Sequence, residues 1–94
     1  MSTTILLHAT MNTMSEQEEI LVILMEECSE VIQEASKLIR FDDTDKDRIE
    51  KEIGDLICMI EILGQKGIID ANMLNEHMDA KRDKLKTWSN IGLQ

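Results

Sequence analysis

Residues 24–37 read Leu-Met-Glu-Glu-Cys-Ser-Glu-Val-Ile-Gln-Glu-Ala-Ser-Lys, and this stretch decides the fold. Apolar residues recur in it every three or four positions, which is the spacing of a helix with one apolar face. The stretch therefore predicts a long amphipathic helix. The same spacing continues on both sides and defines a stripe made of Ile20, Leu24, Cys28, Val31, Ala35 and Leu38, widened by Leu21, Ile32 and Ile39.

Signals that start and end helices bound this first helix. Ser15 followed by Glu18 forms a capping box, in which each residue satisfies a backbone N–H of the other, so the helix is predicted to begin there. It is predicted to end near Arg40, before a polar loop. A second amphipathic helix is expected after the loop, with its apolar positions at Ile49, Ile53, Leu56, Ile60 and Leu63.

Two glycines and an aspartate separate the second helix from a third. The second helix is expected to stop between Gly64 and Gly67, where Gly67 suits a left-handed cap, and Asp70 is expected to cap the third helix. Basic residues cluster towards the end of this third helix, which suits the negative end of a helix dipole. Its apolar positions are Leu74, Met78, Leu85 and Trp88.

Composition predicts an all-α fold. Hydrophobic residues make up 43% of the 94 residues, proline is absent, and the aromatic residues are Phe41 and Trp88 alone. Sheets favour β-branched and aromatic residues, whereas Leu, Ile and Met suit helices. We therefore expect a single domain over residues 1–94, with an arm or weak helix at 1–14 and a tail at 89–94. Three amphipathic helices of this size leave an apolar face uncovered, so the bundle is expected to be completed by at least one further copy of the chain.

Charge and cysteine content indicate which binding partners and which cellular compartment are expected for this protein. The formal net charge is −9, from 19 acidic and 10 basic residues, which disfavours direct nucleic-acid binding. No apolar stretch is long enough to cross a membrane, and residues 5–7 are too few for a signal segment. Cys28 and Cys58 lack a CxxC or disulfide-framework spacing, so we expect reduced, half-buried thiols and a cytoplasmic protein.

Carboxylates at helical spacing form the candidate functional site. Glu27 and Glu30 are one turn apart beside the first apolar stripe, and Glu52 and Asp55 repeat the arrangement on the second helix. When the stripes pack, the four side chains can form an oxygen cage for a divalent ion of the magnesium class. Glu26 is expected to point into solvent.

A solvated acidic face is the alternative explanation of this spacing. Like charges one turn apart repel each other, so something cationic should offset them. Lysines are expected to help little. Lys51 adjoins Glu52 in sequence, and Lys37 follows Glu34 by one turn as the near partner on the first helix.

The segment Glu26-Glu27-Cys28-Ser29-Glu30, a spacer of 21 residues, and Glu52-Ile53-Gly54-Asp55 together resemble the EExxE…ExxD signature of the MazG-like pyrophosphohydrolases. The resemblance extends over about residues 16–88. It implies an all-α subunit that dimerises or tetramerises. It also implies Mg²⁺-dependent hydrolysis, with Mn²⁺ as a substitute, of nucleoside triphosphates or their deoxy forms to monophosphate and pyrophosphate, as house-cleaning or nucleotide-pool control.

Residue roles follow from that resemblance. Its metal ligands correspond to Glu27, Glu30, Glu52 and Asp55, and Glu30 or Glu27 is the expected base for an attacking water. Basic residues on the third helix, Lys81 and Lys84, are the candidate phosphate contacts. A solvated basic face is the alternative explanation of this pair.

The chain departs from the family pattern on the second helix. Many members carry an Asn and a basic residue two and three turns after the motif Asp, where this chain has Ile62 and Gln65. Two other functions therefore stay open. One is a pyrophosphohydrolase of the phosphoribosyl-ATP type, and the other is a non-catalytic helical interaction module that retains the fold.

Overall fold

Three helices make up the fold that the computed structural model describes, which comprises residues 13–41 and 45–93. They are α1 (Glu16–Arg40), α2 (Asp47–Gln65) and α3 (Ala71–Trp88). No strand occurs in those two ranges. The all-α prediction is confirmed, with helix bounds close to the predicted ones. Most of the predicted arm, residues 1–12, lies outside the described residues.

The helix ends follow the chemistry that the sequence predicts. The Ser15 hydroxyl accepts a hydrogen bond from the Glu18 N–H at 3.1 Å, and the Glu18 carboxylate accepts one from the Ser15 N–H at 2.9 Å. These bonds lower the pKa of Glu18. Gly67 has a φ of 72°, the left-handed conformation that favours glycine. Asp70 caps α3 by accepting from the N–H groups of Asn72 and Met73.

The chain divides into two compact units between Leu63 and Gly64. In the first unit, α1 and α2 run antiparallel. Glu34 of α1 pairs with Arg48 of α2 at 3.2 Å, and Glu27, seven residues earlier on α1, lies against Asp55, seven residues later on α2. Moving back along one helix therefore corresponds to moving forward along the other, which is the register of a helical hairpin.

The core of this hairpin lies at the end away from the loop, where α1 begins and α2 ends. Ile20 on α1 and Met59 and Leu63 on α2 are its buried apolar residues, and the seven-residue register places Ile20 level with Ile62, next to Leu63. The sequence prediction missed Met59 and placed Ile53 in the stripe instead, although Ile53 is 39% exposed. Apolar residues occur around most of α2, so their spacing alone does not identify the side that packs against α1.

A second apolar face of α1 is exposed in the single chain. Met25, Ile32 and Ile39 follow one another at intervals of seven residues and are 62%, 68% and 83% exposed. Cys28 lies between them on the same side. Both Cys28 and Cys58 are free and exposed, so the prediction of half-buried thiols was wrong. The physical reason is that Cys28 belongs to the outer apolar face of α1 rather than to the packed one.

The second unit consists of the last residues of α2, the turn after it, α3 and the described part of the tail. The Ser89 hydroxyl donates to the Leu85 carbonyl at 2.7 Å and accepts from the Ile91 N–H at 3.2 Å. These two hydrogen bonds link the first tail residues to the last turn of α3. None of the three described helices has the length and apolar character that a membrane span requires.

Candidate metal centre

Three carboxylates from two helices meet in the middle of the hairpin. Glu27 on α1 and Glu52 and Asp55 on α2 each contribute one oxygen, and the three oxygens all lie within 4.8 Å of one another. Glu52 and Asp55 share a face because they are one helical turn apart, and the antiparallel register brings Glu27 opposite them. The structure thus brings together three of the four predicted ligands.

The fourth predicted ligand, Glu30, lies outside this group. It follows Glu27 by one turn on α1 and is partly exposed. Its predicted roles as ligand and base stay predictions. Glu26, which helical geometry places towards solvent, is partly exposed and is also not a member of the group.

The electrostatics of the group centre on Glu27. Its Oε2 atom is buried and has no hydrogen-bond partner in the part of the chain that the structure describes. Burial raises the pKa of Glu27 above its ordinary value, and the carboxylates of Asp55 and Glu52 raise it further. A buried acceptor without a donor, surrounded by like charges, is an unfavourable arrangement that a bound cation would relieve.

Lys51 already supplies part of the missing positive charge. Its ammonium nitrogen lies 2.9 Å from a carboxylate oxygen of Asp55 and 3.4 Å from one of Glu52. The hydrogen bond to Asp55 is the main cause of a raised pKa for Lys51. The expectation that lysines help little was therefore wrong, because Lys51 precedes Asp55 by one turn.

A second charged contact lies two turns away towards the loop. Glu34, whose side chain is 12% exposed, accepts from Lys37 at 3.3 Å and from Arg48 at 3.2 Å. The Lys37 contact follows from helical spacing in the sequence. The Arg48 contact joins α1 to α2 and becomes predictable only when the register of the hairpin is known.

The donor set suits a hard divalent cation. All three ligand atoms are carboxylate oxygens, which Mg²⁺ and Mn²⁺ prefer, and the group lacks the imidazole and thiolate donors typical of zinc sites. One oxygen of Glu27 has no hydrogen-bond partner among the described residues and is therefore free to bind such an ion. The residues present therefore fit a magnesium-type ion.

The two predicted phosphate contacts belong to the second unit. The Lys81 ammonium lies 5.2 Å from the centroid of the Trp88 ring, a cation–π contact between residues two turns apart. Lys84 is exposed. A cleft of about 390 Å³ runs along α3, and Lys81 lines it together with His77, Met78, Arg82, Leu85 and Leu93. Contact with phosphate stays a prediction for both lysines.

Comparison with known families agrees with this arrangement. The model of the MazG nucleotide pyrophosphohydrolase domain matches residues 15–84, which is more than half of the chain and includes both acidic motifs. Neither the comparison with curated proteins nor the comparison with solved structures gave a match. The extent of the family match, together with an acidic cluster built from both motifs, shows that the chain belongs to the MazG nucleotide pyrophosphohydrolase family.

Proposed function

We propose that this protein is an enzyme that hydrolyses nucleoside triphosphates, or their deoxy forms, to a monophosphate and pyrophosphate in a reaction that requires Mg²⁺, with Mn²⁺ as a substitute. The observation that carries the proposal is the group of three carboxylates around the unpartnered oxygen of Glu27. Membership of the family supports the reaction class. House-cleaning or control of the nucleotide pool is the cellular role that such a reaction serves.

Each residue of the site has a defined task in this proposal. Glu27, Glu52 and Asp55 hold the ion, and Glu30 completes the ligand set from the next turn of α1. A bound ion of this kind neutralises phosphate oxygens and lowers the pKa of a coordinated water. Glu30, or alternatively Glu27, would accept a proton from the attacking water as the water oxygen bonds to the α phosphorus. The bond from that phosphorus to the α–β bridging oxygen breaks, and pyrophosphate leaves with that oxygen.

Lys81 and Lys84 are proposed to balance the charge that develops on the leaving pyrophosphate. Both lie one turn apart on α3 and are exposed, so their ammonium groups are accessible to a ligand. The cation–π contact with Trp88 restrains the Lys81 side chain and limits the entropy that it loses when it binds an anion.

A homodimer or homotetramer is part of the proposal. The exposed residues Met25, Ile32 and Ile39 form a line on α1 with the seven-residue spacing of helices that pack against other helices. A second copy of the chain would cover this line. A cytoplasmic location is also proposed, since two free, exposed cysteines suit a reducing compartment.

The non-catalytic interaction module is the second candidate. Ile62 and Gln65 favour it, because they replace polar and basic residues that many family members carry on this helix. The same departure leaves open a substrate of the phosphoribosyl-ATP type, which the metal group alone does not distinguish from a nucleoside triphosphate.

A substrate panel tests the proposal and separates these candidates. Purified protein is incubated with Mg²⁺ and each nucleoside triphosphate, deoxynucleoside triphosphate or phosphoribosyl-ATP, and pyrophosphate and orthophosphate are measured separately. Pyrophosphate release that is lost in Asp55→Asn and Glu52→Gln supports the proposal. Glu61→Gln, an exposed position on α2 outside the cluster, is the charge-matched control. Failure to release pyrophosphate from every substrate would favour the interaction module.

A further inference from the structure

Lys51 contacts the candidate metal centre through two of the carboxylates that would bind the ion. Its ammonium lies against one oxygen of Asp55 and one of Glu52, which are two of the three carboxylates in the cluster. A lysine has no acceptor and cannot bind a cation itself. An ammonium and a divalent ion held by the same two carboxylates would repel each other and compete for their negative charge.

We propose that Lys51 is an internal competitor for the metal, which neutralises Asp55 and Glu52 in the metal-free protein and turns away when a divalent cation binds. This inference rests on the proposed metal-dependent function. It assigns Lys51 a role in setting the metal affinity, separate from the ligands and from the base.

The geometry makes such an exchange feasible. The Lys51 side chain is 69% exposed, so its four-carbon chain can swing into solvent without disturbing the buried residues. The unpartnered Oε2 of Glu27 has no hydrogen bond to the ammonium or to another described residue, so an ion that enters the group would not have to displace a partner from it. The ion would then replace the Lys51 ammonium at Glu52 and Asp55.

The expected size of the effect follows from simple electrostatics. Metal binding would break the two solvent-exposed ion pairs of Lys51, and the loss of two such modest interactions weakens binding by about three- to tenfold. Removing the charge of Lys51 should therefore tighten Mg²⁺ binding by about that factor.

The test compares Mg²⁺ binding to metal-free wild type, Lys51→Met, Lys51→Arg and Lys37→Met by isothermal titration calorimetry. Lys37→Met is the matched control, because Lys37 also forms an ion pair with a glutamate but lies ten residues, or about 15 Å, along α1 from Glu27. Lys51→Met is expected to bind Mg²⁺ more tightly, whereas Lys51→Arg should bind it no more tightly than wild type and Lys37→Met should match wild type.

Thermal unfolding provides a second readout that does not depend on turnover. Lys51→Met should have a lower melting temperature than wild type in EDTA, because the carboxylates lose their counter-ion, and a larger increase on addition of Mg²⁺. Equal or weaker Mg²⁺ binding by Lys51→Met would overturn this inference while leaving the proposed function intact. Absence of Mg²⁺ binding to every variant would overturn both.

Discussion

Replacing Glu27 by Gln is expected to stabilise the metal-free protein. The Glu27 carboxylate lies within 4.8 Å of those of Glu52 and Asp55. In a water-like dielectric each such pair repels by about 0.9 kcal/mol, and physiological salt reduces this to about half, so the two pairs together contribute about 1 kcal/mol. The attraction of Lys51 for Glu27 offsets part of this gain. In a domain of this size 1 kcal/mol corresponds to about 4–8 °C in melting temperature, so after this offset we expect a rise of about 2–4 °C.

The pH dependence of this gain has a definite sign. Because the pKa of Glu27 is raised in the folded state, the charged carboxylate lowers stability at pH values above that folded pKa. As the pH falls through it towards the unfolded value of 4.5, the folded state takes up a proton and the penalty disappears. The difference between Glu27→Gln and wild type should therefore be largest near neutral pH and shrink on acidification.

Thermal unfolding in EDTA and in Mg²⁺ measures both effects. In saturating Mg²⁺ the order should reverse, because wild type gains about 2.7 kcal/mol at a concentration of 100 Kd whereas the variant has lost a ligand. Glu61→Gln removes the same charge from α2 outside the cluster and should change little. If Glu27→Gln were less stable than wild type in EDTA at neutral pH, or no different from Glu61→Gln, the electrostatic account of the cluster would be refuted.

Four further predictions concern the helices and their assembly. Gly54→Ala should raise the free energy of unfolding by about 1 kcal/mol in chemical denaturation, since Gly54 is inside α2 and an added Cβ meets nothing within 4 Å. Gly67→Ala should lower it by about 1 kcal/mol because of the left-handed backbone, and an unchanged midpoint would contradict that reasoning. Ser15→Ala should cost about 1 kcal/mol through loss of the α1 cap, which thermal melts can measure against a control at Ser36. Ile32→Glu should reduce the mass measured by light scattering to that of a smaller species, and a wild-type chain that is already monomeric would refute the predicted oligomer.

Local signals allowed much of the fold to be predicted from the sequence. The capping box at Ser15, the left-handed Gly67 and the cap at Asp70 each involve residues within three positions of one another, so the sequence contains all of their partners. The side of α2 that packs against α1 was less predictable. Met59 and Ile53 are both apolar, and only the packing against α1 distinguishes the buried residue from the exposed one.

In the candidate site, contacts within one helix were also predictable from the sequence, whereas contacts between helices were not. The i, i+3 pair of Glu52 and Asp55 is a local pattern and could be recognised directly. The contact of Lys51 with Asp55 is also a local pattern, since Lys51 precedes Asp55 by four residues, and helical spacing is sufficient to predict it. The contact of Arg48 with Glu34 depends on the relative position of two helices, which the spacing within either helix does not determine.

Because α1 and α2 run antiparallel, the hairpin can change in length while the carboxylate group keeps its geometry. Glu27 meets Asp55, and Glu34 meets Arg48, at successive cross-sections through the same pair of helices. An insertion of seven residues into each helix on the loop side of these contacts would add two turns per arm and leave the carboxylate cross-section unchanged. An insertion of one residue between Glu27 and Glu34 would instead rotate one of these two contacts by about 100° relative to the other. The spacer between the motifs can thus vary in matched steps without loss of the metal centre.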